Sequence, residues 1–256
     1  DIEDLIPNEE MVVMISSDNY IKRLPLDTYK QQHRGGQGLL GMQTKEDDEV
    51  VDLFVTMTHN NIMFFTNKGR VYQLKAYRIP VAGRHSKGKP IVNLLPKLEE
   101  GEKIEDNLPI DSLDENQDLM FATRSGIVKR TPLKEYRNIR SSGIIAISLQ
   151  EGDSLVDTQL VRPGDEIVLA TRKGQAARFD ASQVRSVGRP AIGVIGMRPD
   201  EDDEVVSMAV VRPEDKLLSI TENGYGKISL VSDYRKTKRG GKGVITIRTT
   251  ERNGWV

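Results

Sequence analysis

Phe64-Phe65-Thr66-Asn67-Lys68-Gly69 reads as the first half of a β-hairpin, an aromatic run closed by a turn whose last residue tolerates positive φ. The pattern returns as Phe121-Ala122-Thr123-Arg124-Ser125-Gly126, as Leu169-Ala170-Thr171-Arg172-Lys173-Gly174 and as Ser219-Ile220-Thr221-Glu222-Asn223-Gly224. Met14-Ile15-Ser16-Ser17-Asp18-Asn19 precedes them, with Asn in place of Gly. The turn residues 19, 69, 126, 174 and 224 lie 50, 57, 48 and 50 residues apart. A second glycine follows each turn, at Gly38, Gly88, Gly143, Gly193 and Gly243, offset by 19 residues in four cases and 17 in one. Two registers that agree this well define an internal repeat.

Working outward from the turn, the first repeat predicts four strands, roughly Met11–Ser16, Tyr20–Pro25, Leu39–Gln43 and Val50–Met57. Acidic turns lead into the fourth strand: Glu46-Asp47-Asp48-Glu49, then Glu99-Glu100-Gly101-Glu102, Glu151-Gly152-Asp153 and Glu201-Asp202-Asp203-Glu204. No long 3.6-residue period interrupts them. Four strands per unit of about 50 residues is the footprint of a propeller blade. The expected fold is therefore all-β, a single propeller-like domain over 1–256, with repeats at roughly 11–59, 60–116, 117–164, 165–214 and 215–256. By this register the chain ends at Trp255-Val256 where a fourth strand of the fifth repeat is due, so a sixth blade is expected to be missing.

Hydrophobic residues make up 37% and charged residues 29%, a globular balance, and no apolar run approaches the ~20 residues of a membrane helix. Asp1-Ile2-Glu3-Asp4 does not resemble a signal peptide. The absence of cysteine excludes disulfides, thiolate zinc sites and cysteine nucleophiles, and suits a cytoplasmic location. A net charge of −1, from 37 basic and 38 acidic residues, excludes a uniformly basic binder but not one whose charges are segregated.

Signals of catalysis are lacking. There is no P-loop and no zinc-spaced cluster, and His33, His59 and His85 have no Ser or Cys partner in the repeat frame. Gly36-Gln37-Gly38-Leu39-Leu40-Gly41 matches a dinucleotide fingerprint in letters, but it leads into a strand and not a helix. The acidic clusters lack the spacing of a calcium loop and read as solvated turns. No cofactor or metal is expected.

Cations do recur. Four residues before the second glycine stand Arg34, Arg84, Arg189 and Arg239, with Arg140 one place off in the shortened third repeat. After the hairpin come Lys22-Arg23, Lys129-Arg130, Arg178 and Lys227, while the second repeat has Tyr72-Gln73. The glycine-rich loops add Lys87, Lys89, Arg137, Arg185, Arg235, Lys236, Lys238 and Lys242. A repeated position becomes a ring position in a propeller, so repeated cations predict a basic belt. Such a belt would contact phosphates without reading sequence. Glycines beside the arginines would let backbone N–H groups approach those phosphates.

Gln32-His33-Arg34-Gly35-Gly36-Gln37-Gly38 resembles the Gln-Arg-Arg-Gly-Gly-Lys-Gly box of DNA gyrase A subunits. Asp4-Leu5-Ile6-Pro7, Lys68-Gly69-Arg70-Val71-Tyr72, Pro90-Ile91-Val92-Asn93-Leu94-Leu95-Pro96 and Thr250-Glu251-Arg252-Asn253-Gly254 are similar to the same family, so the resemblance covers essentially the whole chain. It implies a pinwheel variant of the propeller whose rim wraps double-stranded DNA, so that strand passage introduces negative supercoils. It also implies partners: the breakage-reunion domain that precedes it in gyrase A, and the gyrase B subunit, in an A2B2 assembly that uses ATP and Mg2+ elsewhere. The family's nucleophilic tyrosine belongs to that other domain, so none of the seven tyrosines here inherits its role. Gln32, Arg34, Gly35, Gly36 and Gly38 match the box, whereas His33 and Gln37 replace cations. Thr237-Lys238-Arg239-Gly240-Gly241-Lys242-Gly243 keeps the cations and lacks the leading Gln, which marks it as a second contact.

Two other readings stay open. The altered box also fits the matching domain of topoisomerase IV, which decatenates or relaxes. A protein-binding propeller predicts an aromatic face, whereas aromatic residues are only 5% here and the repeated positions are cationic.

Overall fold

The computed structural model describes residues 1–33, 50–83, 85–111, 116–245 and 255–256, with side chains described at all of these but 31–33, 244 and 245. The first repeat contributes β1 (Glu10–Ser16), β2 (Tyr20–Pro25), an eight-residue helix α1 (Leu26–His33) and β3 (Val50–Met57). The second contributes β4 (Asn61–Thr66), β5 (Arg70–Lys75), β6 (Lys89–Pro90), α2 (Ile91–Leu94) and β7 (Ile104–Ile110). In the third are β8 (Asp118–Thr123), β9 (Ile127–Pro132), β10 (Ile144–Ile145) and β11 (Leu155–Val161). The fourth holds β12 (Glu166–Thr171), β13 (Gln175–Asp180), β14 (Val194–Ile195) and β15 (Val205–Val211). The fifth ends the series with β16 (Lys216–Ile220), β17 (Gly226–Leu230) and β18 (Val244–Ile245).

These strands form four four-stranded antiparallel sheets, β3-β1-β2-β6, β10-β5-β4-β7, β11-β8-β9-β14 and β15-β12-β13-β18, followed by the hairpin β16-β17. One expectation needs correction here. A repeat does not build its own blade, because its short third strand crosses to the outer edge of the preceding one. β6 pairs with β2, β10 with β5, β14 with β9 and β18 with β13. Each loop after a hairpin therefore spans a seam between blades at the outer rim, which is the pinwheel arrangement. The expected strand at 39–43 lies outside the described residues.

The hairpin explains the recurring sextet. The Ser or Thr that opens each turn accepts from the backbone N–H four residues on, at 3.1 Å for Ser16–Tyr20, 3.2 Å for Thr123–Ile127 and 3.0 Å for Thr171–Gln175. Gly126 closes its turn at φ +97°, and a Cβ there would stand 2.3 Å from the Met197 carbonyl of the next repeat. Glycine is needed twice over, for the turn and for the approach of a neighbour.

The blades have apolar residues on both faces, as sheets stacked between neighbours require. Phe65 and Phe121 meet edge to face at 5.7 Å across the second seam, within a cluster that also holds Val71, Leu119, Tyr136 and Ile144. Phe179, Met120 and Met197 centre the cluster across the third. Aromatic edge contacts add about 0.5–1.5 kcal/mol beyond burial.

At the inner edge a recurring acid follows a bulge. Asp52, Asp106 and Asp157 oppose Ile15, Phe65 and Ala122, and Ser207 takes the place in the fourth repeat. Each acid accepts from the next blade: Asp52 from Asn107 Nδ2 at 2.8 Å, Asp106 from the Thr158 N–H at 2.9 Å, Asp157 from the Met208 N–H at 3.4 Å. Burial raises the pKa of Asp106, and the Asp157 charge beside it raises it further.

Candidate nucleic-acid interface

The rim loops are held in place by the residues that follow each hairpin. Lys22 is fully buried, and its Nζ donates to the carbonyls of Gly83 at 3.0 Å and Ser86 at 3.1 Å in the next repeat's loop. Lys129 repeats the arrangement, donating to Ala146 O at 2.6 Å and to Arg189 O. Burial pulls the Lys22 pKa down to about 8. Lys129 falls to about 7, through burial first and the Arg189 charge second.

One place further on, after Lys22, Lys129 and Ala177, an arginine clasps the turn of the next repeat. Arg23 Nε donates to Ile79 O at 2.7 Å and Arg130 Nε to Val184 O at 2.6 Å, while Arg178 Nη1 donates to Tyr234 O at 2.8 Å. Arg130 and Arg178 also pair with acids of their own hairpins, Asp118 at 2.8 Å and Glu166 at 2.6 Å. Burial lowers the Arg23 pKa. The expectation that Lys22, Lys129 and Arg178 stand on an exposed belt is therefore corrected, whereas Arg23 and Arg130 are half-buried. Strands inside stacked blades have no free face, so a cation there must spend its donors on neighbouring carbonyls. Lys227, at the corresponding place in the fifth repeat, is exposed.

The second glycine also faces inward. A Cβ on Gly193, at φ +107°, would lie 2.4 Å from Val128 O and 3.0 Å from the Lys129 Cβ, and Gly88 makes the same approach to Ile21 and Lys22. These glycines let the loop close onto the buried lysine, whereas Gly241, close after Arg239, faces open space.

The arginine four residues before that glycine lies between successive loops. Arg189 Nη1 donates to Ile145 O and Arg239 Nη1 to Ile195 O, both at 3.0 Å. Both are half-buried, and a guanidinium engaged by one or two carbonyls keeps further N–H groups. Arg140, Lys89, Lys238 and Lys242 are exposed and Lys87 is half-exposed. Arg34, Gly35, Gly36, Gln37, Gly38 and Arg84 lie outside the described residues, as do the Gly36–Gly41 stretch, Thr250–Gly254 and the side chains of Gln32 and His33.

Among the described residues, charge separates in the second to fourth repeats, although Lys236 of the fifth repeat's loop pairs with Asp180 at 2.7 Å and Glu166 at 3.3 Å. Cations of the hairpin turns are spent on the acidic turns: Arg70 on Glu99 at 2.9 Å, Arg124 and Arg172 on Glu204 at 3.7 Å, Lys173 on Asp202. Among the described residues, Lys87, Lys89, Arg140, Arg185, Arg235 and Lys238 of the rim loops have no carboxylate partner. Lys242 is 3.6 Å from Asp200. No cluster of three metal-binding side chains occurs among the described residues, and no helix there is long and apolar enough to cross a membrane.

Seam-crossing strands, and rim loops whose described cations in part lack carboxylate partners, define a pinwheel propeller. The chain belongs to the family described as DNA gyrase C-terminal domain, beta-propeller, which it matches over 10–57, 60–109, 117–162, 165–212 and 215–256. The DNA gyrase A protein of Clostridium acetobutylicum is 50% identical over 193 residues, 75% of this chain and 23% of that protein. Its counterpart from Staphylococcus aureus is 46% identical over 192 residues, 75% of this chain and 22% of that protein. The chain thus spans under a quarter of the curated relatives it matches. A solved DNA gyrase A C-terminal domain superposes with a TM-score of 0.78 at 28% identity, covering 97% of this chain and 81% of that one. The C-terminal domain of a DNA topoisomerase IV gives 0.77 at 30%, covering 98% and 76%.

Proposed function

We propose that this domain binds and wraps double-stranded DNA around its rim, as the non-catalytic C-terminal part of a gyrase A protein. The observation that carries the reading is the charge separation. Acidic turns consume the hairpin cations, while the loops of four repeats present cations with no carboxylate partner. Phosphates along a bent duplex can meet such loops in succession, and many weak contacts together offset the cost of bending. The high identity to gyrase A proteins favours this reading over a topoisomerase IV role. In the whole enzyme, breakage-reunion would lie in the remaining domains of gyrase A. ATP hydrolysis with Mg2+ would lie in gyrase B, within an A2B2 cytoplasmic assembly. This domain itself would need no cofactor.

The test is duplex binding across a salt series, with Lys238→Ala and Lys242→Ala combined and Arg140→Glu separately. Log K should fall with log salt by about 0.9 per phosphate contacted, and each variant should flatten that slope. Unchanged slopes in both would remove the rim from the binding surface.

A further inference from the structure

The fourth rim loop departs from its counterparts at its tip. The residue before the second glycine is Gln37, Lys87, Ser142 and Lys242 in the other repeats and Ile192 in the fourth. The Gly240-Gly241 pair of the fifth loop is Pro190-Ala191 here. Gly240 stands at φ +94°, which proline cannot adopt, so the fourth tip takes a different turn. The Ala191 N–H closes that turn on Gly188 O at 3.3 Å, and Ala191 O accepts from the Ser148 N–H of the third repeat at 3.2 Å. Arg189, within the turn, donates to Ile145 O at 3.0 Å. The tip is thus fixed in place, yet Pro190 is exposed, Ile192 is 41% exposed and Ile145 49%.

Single exposed aliphatic side chains are ordinary. A fixed apolar tip at a ring position that is polar or cationic in the other four repeats is not. Arg185, exposed and with no carboxylate partner among the described residues, and Arg189 lie in the same loop, so a polyanion remains the complementary occupant. A single turn is too slight to fill the ~12 Å major groove, which takes a helix or a two-stranded ribbon, but it matches the ~6 Å minor groove. We propose that Pro190 and Ile192 enter the minor groove of bound duplex and disfavour guanine there. Both kinds of base pair present acceptors in that groove, and only G·C adds a donor, the guanine N2 amino group. Against an apolar tip that donor loses its water and gains no partner. An otherwise sequence-neutral rim thereby acquires one position that favours A·T. The inference rests on the wrapping reading.

Competition binding of one duplex made either with guanine or with inosine, which lacks only the N2 amino group, reads this contact. The preference for the inosine duplex should be at least about fivefold greater in the wild type than in Ile192→Ser, which carries the third repeat's residue. Inosine also softens the duplex, but both proteins meet the same DNA, so the difference between them isolates the tip. Ile192→Leu should keep the wild-type preference, and Lys87→Ala should weaken binding to both duplexes equally. Equal preferences in the wild type and Ile192→Ser would overturn the inference and leave rim binding standing, as would a preference that moves with Lys87→Ala instead. A wild type that binds neither duplex would overturn the wrapping reading, and this inference with it.

Discussion

Replacing Lys129 by Met tests the claim that a buried, readily deprotonated amine holds the fourth repeat's loop. Folded Lys129 loses its proton near pH 7, whereas an unfolded lysine keeps it to about 10.5. Between those values the unfolded chain binds more protons, so wild-type stability rises with pH, by up to about 1.4 kcal/mol per unit for one proton. Solvent screening makes this slope an upper bound. Lys22, lowered to about 8, tilts the curve in the same direction, but it is present in both proteins and drops out of their difference. The variant also leaves Arg189 O without its donor, at about 1–3 kcal/mol, while Ala146 O keeps the Tyr136 hydroxyl at 2.8 Å. Urea unfolding at pH 7, 8, 9 and 10 should thus show the wild type gaining on the variant at each step. A difference that stays constant with pH would mean that Lys129 remains charged in the fold, and would refute the reasoning.

Three further outcomes are expected. Gly193→Ala should cost at least about 1–2 kcal/mol from its left-handed φ alone, and more from the contact with Val128 O, read as a lowered Tm. Arg178→Ala strips Glu166, only 2% exposed, of its main partner and should cost about 3 kcal/mol in urea unfolding, with Lys236 at 3.3 Å making up part of the loss. Asp106, its pKa raised by burial, favours its protonated form in the fold, so the wild type loses stability as pH rises from the unfolded value near 3.8. Asp106→Asn, which keeps the acceptor for the Thr158 N–H, should flatten that part of the profile in thermal melts.

The propeller was legible because a hairpin turn constrains residue type strongly. The Ser/Thr, the positive-φ residue and the apolar run recur wherever the geometry does. The strand exchange was not legible, since β10, β14 and β18 are two-residue strands whose pairing depends on the neighbour and not on their own pattern. The cations at positions 22, 129 and 178 misled for a related reason. Recurrence shows that a position matters to every blade, and both a belt and a seam satisfy that. The distinguishing signal was present: Lys22 and Lys129 sit in Tyr20–Pro25 and Ile127–Pro132, opposite the second glycine, where a side chain meets backbone and not solvent. Asp52, Asp106 and Asp157 escaped notice because bulges shift them out of strict alternation.

Wrapping itself is tested most directly by topology. Nicked circular DNA closed by ligase in the presence of this domain should show a linking-number shift that grows with domain concentration and shrinks with salt. Bound DNA whose linking number stays at the protein-free value would contradict the account, leaving a rim that holds DNA without wrapping it.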